Sequence, residues 1–142
     1  DHRVKKLATW ASVSNFLNRN KKKTIETWQR EGVVYTRNSR TQQDMPLYRQ
    51  FYDVMMANKD RLNVLAGARN LSIPFLIIHG DNDEAVPVVE AETLHRSAHG
   101  SELLEINGGT HTFGARHPFS GDQLPEQAAK VVSATMSFFA RH

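Results

Sequence analysis

The chain has 142 residues, enough for a domain with its own core, and 39% of them are hydrophobic. Its net charge of +3 is too mild to argue for a nucleic-acid partner, and no apolar run reaches membrane-spanning length. Zero cysteines exclude disulfides and thiolate metal sites and fit a cytoplasmic protein. The charged opening at residues 1–6 is not followed by an apolar stretch and a small-residue cleavage site, so no signal peptide is expected.

Residues 6–13, Lys-Leu-Ala-Thr-Trp-Ala-Ser-Val, read as a largely buried strand. Ser12 and Ser14 stand at its C-terminal end, where they either cap a turn or line a pocket. The stretch that follows is polar, basic and rich in Asn, Arg and Gln. Residues 15–20 predict a short helical turn. Thr24 suits the N-cap of a helix over Ile25–Glu31, with Gly32 as its C-cap. Val33–Thr36 and Met45–Tyr48 flank the turn-rich residues 38–43, which is the pattern of a hairpin. Tyr48–Asn58 sets Phe51, Val54 and Met55 at helical spacing, and Leu62–Ala68 predicts a further helix. Lys21-Lys22-Lys23 reads as a solvated helix entrance, because no aromatic residues interleave with it as a base-stacking platform requires.

The next stretch, Ile73-Pro-Phe-Leu-Ile-Ile78, is apolar on both faces, which belongs in a parallel sheet covered by helices on both sides. Gly80 and Asn82 supply turn chemistry around Asp81 and Asp83. Functional groups of open α/β sheets sit just beyond the carboxyl ends of the strands, so Asp83 stands where a functional acid belongs. His79, at the buried strand end, reads as structural. Val88–Ala98 predicts an amphipathic helix with Ala91, Leu94 and His95 on one face. Residues 101–106 predict a strand, and Asn107-Gly-Gly109 closes it into a loop holding His111. The last helix is predicted over Glu126–Ala140, where Ala128, Val131, Val132, Thr135, Phe138 and Phe139 form one stripe. The fold class is α/β.

Asp81, Asp83 and Glu84 also invite a metal. Numbered as a calcium loop, Asp81, Asp83 and Glu92 fit the first, third and twelfth places. The fifth and sixth are Ala85 and Val86, where that loop needs an oxygen ligand and Gly. No metal site and no cofactor are expected.

The run His79-Gly80-x-x-Asp83-x-x-Val86-Pro87, followed by Gly108-Gly-Thr-His111-Thr-Phe-Gly114, resembles the C-terminal half of an α/β-hydrolase. The bile-acid-transferase-like and dienelactone-hydrolase-like branches are the nearest in pattern. The resemblance implies parallel strands with flanking helices, formed by residues 1–14 and 71–142, and a cap or lid inserted over the active site by residues 15–70. It implies a Ser-His-Asp triad in the order Ser, acid, His, with Asp83 and His111 as acid and base. Asp81 competes for the acid's role, but the spacing after His-Gly favours Asp83, leaving Asp81 to bond its own backbone in the turn. A structural loop histidine is the alternative for His111. Ser12, Ser14 and His117 are the candidate substrate contacts.

None of the nine serines lies in a Gly-x-Ser-x-Gly sequence, so the nucleophile is expected outside this chain. The implied substrate is a small-molecule ester or acyl compound, with no nucleic-acid or membrane partner. The first strand lacks the neighbour that would carry the nucleophile, and is expected to pair with the missing N-terminal half or with a second copy. A truncated, non-catalytic binding module is the alternative to an enzyme.

Overall fold

The computed structural model describes residues 2–16, 22–38 and 41–141. In chain order it contains β1 (Leu7–Trp10), α1 (Lys22–Glu31), β2 (Val33–Arg37), β3 (Asp44–Tyr48), α2 (Arg49–Ala57) and α3 (Val64–Arg69). β4 (Phe75–Gly80), α4 (Val89–Ser97), β5 (Glu102–Ile106) and α5 (Glu126–Ala140) follow. The chain forms two compact units: residues 15–63, and the segments before and after them.

The larger unit is built on a parallel sheet in the order β1-β4-β5. β4 is central because it can bury both of its faces, and all six of its residues are buried. Successive side chains of a strand point to opposite faces, and the core divides accordingly. Phe75 and Ile77 pack with Ala68, Ala91, Leu94 and Ala98 on one side. Leu76 and Ile78 pack with Ile106, Phe113, Val131 and Phe138 on the other. The register sets Trp10 opposite Ile78 and Gly80 opposite Ile106. The carboxyl ends of β4 and β5 therefore lie side by side.

β1 is shorter than residues 6–13, because Ala11 turns into the left-handed region at φ +49° and ends the extended run at Trp10. The chain before β1 is tied to the far end of α5, where the Lys6 ammonium donates to the carbonyl of Phe138 at 3.1 Å. It also donates to the carbonyls of Phe139 and Arg141, as a cation at a helix C-terminus should. α5 has the expected bounds but a narrower stripe. Phe138 is 2% exposed while Phe139 is 49% exposed. Adjacent helical residues point about 100° apart, so one of the pair faces the sheet and the other leaves it.

In the smaller unit β2 and β3 pair antiparallel, Val33 opposite Tyr48, as the turn-rich sequence between them predicts. Trp28 is fully buried, stacks on Tyr52 with ring centroids 5.6 Å apart, and donates Nε1–H to the Leu47 carbonyl at 2.7 Å. Of Phe51, Val54 and Met55, Met55 is buried and the other two are exposed. α1 begins at Lys22, so Thr24 lies inside the helix instead of capping it. Gly32 does end it, at φ +76°, with its N–H on the Trp28 carbonyl. Part of the turn expected at residues 15–20, together with Lys21 and residues 39–40 of the hairpin turn, lies outside the described residues.

The smaller unit ends at Asn63. α3 belongs to the larger unit because Ala68 is buried against Phe75 and Ile77, with Val64 and Leu65 packed beside it. Among the described residues no helix is long and apolar enough to cross a membrane.

The two neighbouring phenylalanines of α5 give a direct check. Phe138→Ala should cost about 3–5 kcal/mol in urea unfolding of the whole chain. Phe139→Ala should stay within about 0.5 kcal/mol of wild type. Equal losses would mean that α5 presents a different face to the sheet.

Candidate active site

β4 ends in Gly80, and the loop after β5 crosses directly on top of it. A Cβ at Gly80 would lie 2.1 Å from the Gly109 carbonyl oxygen, and a Cβ at Gly109 would lie 2.9 Å from the Gly80 Cα. No side chain fits between these two backbones. Three further bonds hold the loops together. The N–H groups of Asp81 and Asn82 donate to the carbonyls of Ile106 and Gly109, at 3.3 and 3.0 Å. The Asp81 carboxylate accepts the Gly108 N–H at 2.7 Å, with Gly108 at φ +65°. Asp81 thus clamps the neighbouring loop, where the sequence suggested a bond to its own backbone.

This crossing brings Asp83 to His111. The Asp83 side chain is wholly buried, and its Oδ1 accepts the N–H groups of Ala85 and Val86 at 2.9 and 2.8 Å. Its Oδ2 accepts the His111 Nδ1–H at 2.9 Å. The same oxygen lies 3.3 Å from Nε2 of His79. Burial pushes the Asp83 carboxyl up, but the Val86 N–H, the His111 ring and the Ala85 N–H outweigh it, and the pKa falls below the ordinary 3.8. Asp83 is held as a carboxylate.

The His111 side chain is 45% exposed. Its loop is a tight turn, with the Phe113 N–H on the Thr110 carbonyl at 2.9 Å and the Gly114 N–H on the Thr110 hydroxyl at 3.1 Å. Phe113 occupies the left-handed region at φ +52°, uncommon for a bulky residue, and is kept there by burial of its ring. That ring meets Trp10 edge to face, with centroids 6.5 Å apart. Because Nδ1–H is committed to Asp83, the neutral ring carries its lone pair on Nε2. A carboxylate behind a partly exposed imidazole in this tautomer is an arrangement able to take up a proton and return it. Beside it is a pocket of about 410 Å³, walled by His111, Trp10, Phe113, Leu124, Val131 and Val132.

Asp83 and His111 are thus brought together. Ser14 goes elsewhere: its N–H and hydroxyl both donate to the Glu90 carboxylate in the first turn of α4, the N–H at 2.7 Å. Ser12 is half-buried and His117 exposed, and Ser12, Ser14 and His117 are not among the residues walling this pocket. Sequence reading gave His79 no part in the site, although it stands four residues before the acid, across the turn. Trp10 was read only as part of the largely buried first strand; it is the last residue of β1, is exposed, and stands in the pocket wall.

The sequence matches no protein-family model and no curated protein. Solved structures do match. A putative hydrolase from Agrobacterium vitis S4 is 16% identical with a TM-score of 0.70, the match covering 96% of this chain and 50% of that one. Est1E from Butyrivibrio proteoclasticus with ferulic acid bound is 18% identical, TM-score 0.62, with 97% and 51% covered. The esterase domain of a Rhodothermus marinus protein is 16% identical, TM-score 0.57, with 96% and 52% covered. The chain has the α/β-hydrolase fold and spans about half the length of these relatives.

Two outcomes follow from this geometry. Gly80→Ala must push the two loops apart, so it should destabilise the chain and broaden the His111 ring signals in NMR; a folded variant with unchanged His111 signals would contradict the crossing. Asp83 has a lowered folded pKa, so its stabilisation is present above the ordinary 3.8 and is lost as pH falls through the folded value. The stability of wild type relative to Asp83→Asn should therefore decline between about pH 5 and pH 2 in urea titrations. A rise on acidification would reverse the sign.

Proposed function

We propose that this chain supplies the acid and base of a Ser-His-Asp acyl hydrolase, with the nucleophilic serine contributed from outside these 142 residues. The observation that carries the reading is the 2.9 Å bond from the partly exposed His111 ring to the buried Asp83 carboxylate. In such a reaction His111 Nε2 takes the serine proton as the hydroxyl attacks an acyl carbonyl, then returns it to the leaving group. Asp83 keeps Nδ1 protonated and stabilises the imidazolium that forms. The chemistry requires no cofactor.

By the order Ser, acid, His, the nucleophile precedes β1 in a longer chain. β1 is an edge of the sheet among the described residues, and the strand carrying that serine is the partner we assign to it, a second copy being the alternative. Residues 15–63 are read as the inserted cap. The mainly apolar wall beside His111 favours a small-molecule ester or related acyl compound with an apolar group. The lack of a Gly-x-Ser-x-Gly sequence favours a second reading, a non-catalytic binding module.

Labelling with a fluorophosphonate probe, together with p-nitrophenyl ester hydrolysis, separates the readings. The 142-residue chain should take no label and hydrolyse nothing above background, while the in-frame longer protein should do both. In that longer protein Asp83→Asn should lower kcat by about 10⁴, because the amide favours the wrong His111 tautomer, and Asp81→Asn should cost far less. An adduct on a serine of the short chain would overturn the proposal. An inert longer protein would leave the binding module.

A further inference from the structure

We infer that His79 is a positioning residue for the Asp83–His111 pair: it fixes the plane of the Asp83 carboxylate so that Oδ2 faces His111. The inference rests on the reading of Asp83 and His111 as acid and base. His79 is the next-to-last residue of β4, a strand whose other buried side chains are apolar, and it is itself fully buried. A residue that merely filled this space could be aliphatic and would bring no polar cost.

The tautomer of His79 follows from its surroundings. Nε2 lies 2.8 Å from the Val86 carbonyl oxygen and 3.3 Å from Asp83 Oδ2, two acceptors with no hydrogen to give. Nδ1 is buried and has no hydrogen-bond partner among the described residues. Placing the proton on Nδ1 would bury an unpaired N–H and turn a lone pair toward two oxygens. Nε2–H is therefore the donor and the Val86 carbonyl its acceptor, with Asp83 Oδ2 close by.

His79 then acts on Asp83 by two routes. The direct one is the electrostatic attraction between the Nε2–H group and Oδ2, 3.3 Å away, the oxygen His111 also uses. The indirect one passes through Val86. Its carbonyl is held by His79 and its N–H donates to Asp83 Oδ1 at 2.8 Å, closing a ring of bonds around the turn. The N–H groups of Ala85 and Val86 fix Oδ1; the His111 Nδ1–H fixes Oδ2, with the His79 Nε2 3.3 Å from it. Without His79 the Val86 carbonyl loses its donor, the turn whose N–H groups hold Oδ1 is less firmly fixed, and the plane of the carboxylate that faces the His111 Nδ1–H is held less closely.

The test reads the His111 tautomer from ring ¹⁵N shifts in the labelled 142-residue chain, assigned with a His111→Gln control. The spectra are recorded at about pH 8.5, above the ordinary imidazole range. Wild type should show His111 predominantly as Nδ1–H. His79→Phe, which keeps a ring and removes the donor, should shift the population toward Nε2–H. His79→Gln, which keeps an amide N–H within reach of Val86 and Asp83, should restore it. If the Phe ring prevents folding, His79→Leu removes the same donor with less volume and carries the same reading.

An unchanged His111 tautomer in a cooperatively melting His79→Phe or His79→Leu protein would overturn the inference and leave His79 a space-filling residue. A wild-type His111 that is not Nδ1–H would instead overturn the acid–base reading beneath it. A loss of thermal stability common to all the variants, with the tautomer untouched, would also count against positioning.

Discussion

The geometry of the candidate site depends on one close approach, the contact of the Gly80 and Gly109 backbones, where a Cβ on the first would reach within 2.1 Å of the second's carbonyl oxygen. Parallel strands run about 4.8 Å apart, but Asp83 and His111 lie in the loops beyond β4, which ends at Gly80, and β5, which ends at Ile106, so the sheet alone does not place them. Removing both side chains lets the β5 loop fold over the end of β4, and the Asp81–Gly108 and Asn82–Gly109 bonds lock it there. Asp83 and His111 meet because the main chains beneath them have already met.

The second constraint is electrostatic. A buried carboxylate is costly unless its oxygens are occupied. Asp83 answers with two main-chain donors on one oxygen and histidine nitrogens on the other, and its pKa falls despite burial. Exposure is divided unevenly along the chain of contacts: His79 and Asp83 are sealed, while nearly half of the His111 side chain is open. The charge that orients the base is dry, and the base itself is accessible. The Phe113 ring, packed on Trp10 within the core, prevents the partly exposed loop from swinging away from its acid.

Much of this was legible in the residues. The doubly apolar run ending at Gly80 gave the central parallel strand, and the turn residues after it located Asp83; two glycines before His111 signalled a sharp loop. The order of elements from Val88 onward was also readable, since amphipathic periods and glycine punctuation act locally. What failed were features set by tertiary contact. The stop of β1 at Ala11 is a backbone conformation that alanine does not announce. The packing of α3, whose buried Ala68 meets Phe75 and Ile77 of β4, has no local mark in its residues. Asp81 was expected to bond its own turn, and its real partner, the Gly108 N–H, is distant in sequence. For Ser14 the residues left open a turn cap or a pocket wall, and the Glu90 carboxylate that it bonds is distant in sequence. His79 was passed over because a buried polar residue at a strand end has no periodicity to mark its role.

The central claim, that His111 is held by Asp83 through Nδ1–H with the ring's other nitrogen open, can be tested on the chain as it stands. A proton hydrogen-bonded between imidazole and a buried carboxylate is protected from exchange and strongly deshielded in the ¹H NMR spectrum. The account predicts one such far-downfield signal from His111 that vanishes in Asp83→Asn and persists in Asp81→Asn. A signal that survives Asp83→Asn, or no such signal in a folded wild-type chain, would contradict it.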